Sequence, residues 1–430
     1  MAKPSIMNRV DDVSILSEET APSQSVTLGF QLLLCLANMA CWICVLPVGL
    51  ILLPTQIAAL DPVHKISNLA IITAVGALAA LITNPIAGAL SDRTTSPLGR
   101  RKPWLIAGTL LSALTLVTMA HTAGFVALVI AWGVFHVAIN VLLAALSAVV
   151  PDQVPVQQRA TVSAITSLAL PVGSVLGSLL ITKILNIPQI AYYILAGILL
   201  VSMLLFVLML REDLLDRRQV SRFQLRSFLA SFWINPVRHP DFAWAWVTRF
   251  LVYLSYYVAL GYLLYFLQDA LHYSRLFPQQ TAAQGVTLVQ TILTGTLLVT
   301  SLLGGILSDK FRRRKIFVIG SSLVIALAFV ILALFPSWPA LEAAAIVLGI
   351  GFGAYLSVDI AMITQVLPST NAYGKDLGVI NIANALPQVV GPTLAALAIS
   401  LFHSYTALFL LATILALLGA AFVQFIKSVR

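Results

Sequence analysis

The chain has 430 residues, of which 60% are hydrophobic and only 10% charged, with a mean hydropathy of +0.97. Soluble globular chains carry about a quarter charged residues, so a soluble enzyme, a nucleic-acid binder and a disordered scaffold are excluded, since too few charges remain to cover a surface in water. The chain reads as an integral membrane protein. Its +9 net charge, from 25 Lys and Arg against 16 Asp and Glu, is expected in cytoplasmic loops rather than on a nucleic-acid face.

Residues 1–27 are polar, carry Asp11, Asp12, Glu18 and Glu19, and lack the apolar core of a signal peptide, so they read as a short cytoplasmic tail. A helix needs about 20 apolar residues to cross a bilayer, and cutting the chain where charges or Pro/Gly/Asn clusters interrupt the apolar runs predicts twelve such helices. They fall near 28–53, 66–90, 104–121, 124–149, 160–183, 189–210, 241–267, 284–307, 316–335, 340–366, 377–402 and 404–426. The predicted fold is therefore all-α and polytopic, with an N-terminal bundle over 28–210, a C-terminal bundle over 241–426 and a cytoplasmic end at 427–430. Between the bundles, 211–240 is polar, with Arg218, Arg222 and Arg226 on one helical face and Phe228, Phe232 and Trp233 beyond, the pattern of an interfacial helix on the cytoplasmic leaflet. Cys35, Cys41 and Cys44 share the first apolar run, and Cys41-x-x-Cys44 lacks the second ligand pair a zinc site needs, so they read as packing and no metal or cofactor is expected.

Twelve crossings place both termini on one side. Of the 25 basic residues, 21 fall in the tails and even-numbered loops, whereas Lys65, Lys183 and Arg275 fall in the opposite loops and Arg249 lies inside a helix. The positive-inside rule then places both termini in the cytoplasm of a multi-pass plasma-membrane protein.

The sequence also repeats with a long period. Ser91-Asp92-Arg93 ends the second helix and leads to Arg100-Arg101-Lys102, and 217 residues later Ser308-Asp309-Lys310 ends the eighth and leads to Arg312-Arg313-Arg314-Lys315. Pro151 and Pro368 keep the same offset, and Pro171 and Pro387 nearly so, which makes the two six-helix halves pseudo-symmetric duplicates. Gly88-x-x-x-Asp92-Arg93 followed by Gly99-Arg100-Arg101, echoed by Gly305-x-x-x-Asp309-Lys310, resembles the loop motif of the major facilitator superfamily over the whole chain. The long first version, from Ser91 through Pro97-Leu98-Gly99-Arg100-Arg101-Lys102-Pro103-Trp104, is similar to that of the glycoside-pentoside-hexuronide symporters and sucrose transporters. The resemblance implies halves that rock around a central site lined by helices one, four, seven and ten. Where those symporters carry acidic residues in helices one and four, this chain has Asn38 and the pair His136 and Asn140.

Asp92 sits at a helix C-terminus, where the macrodipole disfavours an anion, and so needs cationic partners; Arg93, Arg100 and Arg101 are in loop reach, as Arg312 and Arg313 are for Asp309. Such clusters, with Gly99 at the turn, can latch the halves in one state and release them in the other. Deeper in the membrane, Asp359 and Arg249 each lie eight residues from a cytoplasmic helix end, roughly 12 Å down at the helical rise. Equal depth and opposite sign predict an ion pair, and protonation of Asp359 would leave Arg249 free for an anionic or hydroxylated solute. The alternative is that Arg249 snorkels to the interface beside Trp244 and Trp246.

Neutral polar groups cluster by helix face: Asn38 with Trp42, His136 with Asn140, Tyr253 with Tyr257 beside Tyr256, and Asn381, Asn384 and Gln388 together. They predict a wet, aromatic-walled cavity for a small organic solute, with interhelical hydrogen bonding as the plainer reading for Gln290 and Thr294. Gly173-x-x-x-Gly177 and Gly349-x-x-x-Gly353 are close-packing spacings. The expected function is solute transport by alternating access as a monomer, with protons as the coupling ion and a sugar-like solute. A proton-coupled drug or metabolite exporter is the second expectation, although Leu170-Pro171-Val172-Gly173 fails the Gly-Pro-x-x-Gly-Gly type motif that antiporters of the superfamily tend to carry. A lipid-linked glycosyltransferase ranks last, because no loop holds an acidic cluster or a histidine ligand set.

Overall fold

The computed structural model describes residues 25–184, 187–212, 234–311, 313–366 and 373–428. Most of the expected tail, the linker stretch 213–233 with Arg218, Arg222, Arg226, Phe228, Phe232 and Trp233, and Pro368 lie outside the described residues. The described chain forms twelve helices long and apolar enough to span a bilayer. They are α1 Leu28–Leu60, α2 Lys65–Ser91, α3 Lys102–Ala120, α4 Phe125–Gln153, α5 Val156–Ile184, α6 Pro188–Met209, α7 Pro240–Ala270, α8 Ala282–Phe311, α9 Arg314–Leu334, α10 Trp338–Val366, α11 Tyr373–Phe402 and α12 Tyr405–Phe422. In hydrocarbon every backbone N–H must be bonded within the chain, which leaves helices as the answer for runs this apolar. Leu208, Leu302 and Leu401 are each 72% exposed, a liability in water that becomes ordinary packing against acyl chains.

The expected boundaries hold except at prolines. Pro54 reads as a stop, yet α1 continues to Leu60 through a π turn at Val48–Leu52; the wider turn relaxes the ladder next to a residue that cannot donate. In α5 the chain breaks between Ser167 and Ala169, because Pro171 has no N–H for the Ser167 carbonyl. Pro151 does not end α4, which runs on to Gln153. Arg159, counted above as a topology charge, donates to the carbonyls of Val154 (3.0 Å) and Pro151 (3.0 Å) and so caps that helix.

Close approach of backbones fixes each half. A Cβ on Gly173 would lie 2.9 Å from the Met39 carbonyl and one on Gly177 2.7 Å from that of Ile43, so α5 can pack on α1 only with glycine there. Gly349 and Gly353 do the same for α10 on α8, at 2.8 Å from Leu293 O and 2.5 Å from Leu297 O. The halves meet along α2 against α11 and α5 against α8. A second π turn at Phe266–Ala270 in α7 matches that of α1 at an offset of 218 residues, one from the repeat period read in the loops.

Candidate functional site

The halves are joined at the end opposite the termini. Lys65 Nζ donates to Asp269 Oδ1 (2.7 Å) and lies 5.0 Å over the Tyr265 ring; Tyr405 holds the other Asp269 oxygen at 2.8 Å. Tyr262 donates to the Ile66 carbonyl (3.0 Å) and Tyr265 to that of Pro54 (2.9 Å), just past the α1 π turn. Deeper, the Ser178 hydroxyl donates to Gln290 Oε1 (2.8 Å) and Gln290 Nε2 donates to Ser174, so Gln290 is an interhelical link, as expected. These contacts between the halves all lie toward the end opposite the termini. The halves are therefore fastened together at the far side. Nothing in the sequence marks Lys65 and Asp269 as partners, because they lie 204 residues apart at helix ends whose register is set only by docking of the halves. Lys65→Ala is expected to raise far-side labelling of a reporter cysteine by a few-fold, since a partly exposed pair contributes about 0.2–1 kcal/mol; unchanged labelling would mean the tyrosine contacts hold the gate alone.

On the C-terminal half, α7 and α10 bring Arg249 and Asp359 together. Arg249 Nη1 donates to Asp359 Oδ2, and Nε donates to Asn384 Oδ1 on α11. The Tyr355 hydroxyl donates to the other Asp359 oxygen (3.0 Å), and the guanidinium carbon sits 5.4 Å over the Tyr253 ring. Arg249 is 6% exposed and Asp359 1%, so Arg249 does not snorkel. Each charge offsets the other's desolvation, with every strong partner supplied from the same half. Tyr355 was not singled out in the sequence, although it lies one turn from Asp359. One turn further into the membrane, Tyr256 stacks on Phe352 at 4.3 Å, Tyr253 meets the same ring edge-on at 5.4 Å, and Tyr257 packs edge-on against Tyr256.

The expected polar residues divide sharply. Asn384 belongs to the Arg249 cluster, whereas Asn381 is exposed and Gln388 donates to its own helix at Asn384 O (3.4 Å). On the N-terminal half Asn38 spends its amide on Leu34 O (2.8 Å) and Asn140 on His136 O (2.9 Å), while Asn140 Oδ1 accepts from Asn84 (3.4 Å). Trp42 packs its Cβ against Gly173. His136 is the exception: both ring nitrogens are buried with no hydrogen-bond partner among the described residues, as is Nε1 of Trp132, whose ring meets it edge-on at 4.4 Å.

The loop cluster, expected to latch the halves in one state and release them in the other, finds the following partners among the described residues. Arg101, 2% exposed, donates Nη2 to Asp92 (2.5 Å), Nη1 to Ser91 Oγ (2.6 Å) and Nε to Asp152 (2.8 Å), and Arg100 also pairs with Asp152. Arg93 donates to the Ala89 carbonyl (2.6 Å). All these partners belong to the N-terminal half in this state. Burial disfavours the charge on Arg101, but the Asp152 and Asp92 carboxylates more than offset it and hold its pKa above the ordinary guanidinium value. Glu212 closes the cluster by accepting the backbone N–H groups of Arg101 (2.9 Å) and Lys102 (3.2 Å) at the start of α3. Gly99 has φ 105, and a Cβ there would lie 2.2 Å from the Glu212 carboxylate, so the turn requires glycine twice over. Of the second cluster, the side chain of Asp309 and all of Arg312 lie outside the described residues; Arg313 is exposed at the start of α9.

Two six-helix halves fastened at one end, with a buried charge pair on facing helices, have the architecture of a membrane transporter. The Major Facilitator Superfamily pattern matches residues 32–298 and again 279–429, and the chain belongs to that family. Its fold is similar to that of a crystal structure of the nucleoside transporter NupG in a single-residue variant, at TM-score 0.74 and 14% identity over 93% of this chain and 100% of that one. No curated protein matches the sequence.

Proposed function

We propose that this transporter carries a small organic solute, sugar-like in its chemistry, together with protons across the plasma membrane, as a monomer with both termini in the cytoplasm. The observation that carries the coupling is the buried Arg249–Asp359 pair. A proton on Asp359 removes the ionic bond that ties α10 to α7 and leaves Arg249 held by Asn384, so protonation changes how the cavity helices are knitted together. With the termini in the cytoplasm, the end at which the halves are fastened faces outward. The glycoside-pentoside-hexuronide and sucrose branch is the reading favoured by the long loop motif. The likeness to NupG adds nucleosides to the solutes to test, since ribose offers the same hydroxyls. Export in exchange for protons would use the same pair, with the aromatic wall of Tyr253, Tyr256 and Phe352 facing a drug.

A thermal-shift screen of the purified protein against sugars, nucleosides, organic acids and drugs identifies the solute, because a ligand stabilises the fold it binds. In proteoliposomes, Asp359→Asn is then expected to abolish accumulation against a gradient while counterflow exchange continues, since asparagine keeps an acceptor for Arg249 but cannot titrate. Undiminished uphill uptake would show that Asp359 does not carry the coupling proton. Loss of Asp92 is expected to shift the balance of states by at most a few-fold, as befits a carboxylate 56% exposed, and loss of its repeat counterpart Asp309 is expected to act in the same direction.

A further inference from the structure

We propose that the solute is uncharged and that His136, as a neutral imidazole, is its hydrogen-bonding contact on the N-terminal half; this deepens the transport reading above and rests on it. Away from the helix ends, Arg249 and Asp359 are the only charged side chains in the twelve spans. Counting along each helix from its terminus-side end at 1.5 Å per residue, Asp359 lies about 10 Å deep and Arg249 about 13 Å. By the same count Phe352 lies about 21 Å deep, Tyr256 about 24 Å and His136 about 25 Å. The aromatic layer and His136 therefore share a level, and the ion pair sits roughly two helical turns nearer the mouth. An anion or cation seated at the deeper level would have no counter-charge in contact, in a region where an unpaired charge is costly.

The deeper level has what a neutral solute needs. Buried polar groups are almost always bonded, and each exception calls for a partner. Here one residue leaves two such positions open, both ring nitrogens of His136, and its neighbour Trp132 leaves a third. A neutral imidazole offers one donor and one acceptor, which suits a hydroxyl or an amide edge and not a carboxylate or phosphate. Asn38 and Asn140 each commit one amide N–H to their own helix and keep one further donor, so they can assist His136 but do not share its complete lack of partners. The geometry is set from α2: a Cβ on Gly76 would lie 2.3 Å from Trp132 Nε1 and 2.8 Å from His136 Cδ2. Only glycine at position 76 lets the α2 backbone lie against the indole and imidazole edges, and so it fixes how both rings are held.

The test uses full-length protein in detergent and matched probes: glucose against glucuronate, uridine against uridine 5′-monophosphate, and a panel of uncharged sugars, polyols and nucleosides. An uncharged member is expected to stabilise the protein, with its anionic counterpart at least tenfold weaker. His136→Phe, which keeps the ring, should weaken that binding about tenfold, the worth of one to two hydrogen bonds. His136→Gln, with a donor and an acceptor, should restore it to within a few-fold, and Gly76→Ala should weaken it with His136 still present. Equal or tighter binding of the anion, unchanged binding by His136→Phe, or no uncharged member binding at all overturns the proposal. Flux separates the two readings. Uptake of an anion into proteoliposomes would keep the transport reading and end this one, whereas binding of a neutral solute without flux would do the reverse.

Discussion

Replacing Asp359 with Leu, or Arg249 with Met, is expected to destabilise the protein by about 3–5 kcal/mol each, while the double replacement should recover most of that loss. Each single change strands a charge with almost no access to water, since the two residues are 1% and 6% exposed. Asn384 and Tyr253 can share the burden of a stranded Arg249, and Tyr355 that of a stranded Asp359. The residual asymmetry should therefore favour the Asp359 variant, which keeps two partners against one. In the double variant no charge remains to desolvate, and two apolar side chains of similar volume fill the seam between α7 and α10. Thermal unfolding in detergent gives the coupling as the departure from additivity. Additive losses, with the double variant worse than either single, would show that the pair contributes packing and no mutual neutralisation. The double variant should fold and fail to couple, which separates the pair's structural role from its proposed transport role.

This pair was legible in the sequence because a charge inside an apolar run is rare, and helical rise converts sequence position into depth. The twelve spans were legible for a similar reason, being a property of residues one at a time. What depends on how helices rotate and dock was not. Asn381 and Asn384 are three residues apart, roughly 60° around the helix, and that rotation alone separates a side chain bonded to Arg249 from an exposed one. Gly76 and Trp132 look like any small residue and any aromatic on membrane helices; only the approach of α2 to α4 shows that they pack directly on one another. The loop cluster is the instructive case. The sign argument that singled out Asp92 on a basic membrane face applied equally to Asp152 and Glu212, and following it would have found the three acidic residues that gather around Arg100 and Arg101.

Those acids make Arg101 the second position where a single change should cost most. Arg101→Ala is expected to lose about 2–4 kcal/mol, the range for breaking a buried, hydrogen-bonded pair by removing one partner. Little of this comes from Asp92, which is 56% exposed at the side chain and can turn to water. The loss comes from Asp152, only 20% exposed, and from the Ser91 hydroxyl, both of which face the guanidinium fork. Arg100 would still neutralise Asp152 from its other oxygen, so the upper end of the range is not expected. Arg101→Lys keeps the charge and should still lose at least half as much, because an ammonium cannot reach Asp92, Ser91 and Asp152 with three separate donors spread across a rigid plane. Glu212 accepts backbone N–H groups and is indifferent to the side chain, so Glu212→Gln should add its own smaller loss to that of Arg101→Ala. The unfolding midpoints of the two singles and the double measure this directly. A lysine variant as stable as the wild type would mean that the site needs a positive charge alone and that the fork geometry around Arg101 contributes nothing.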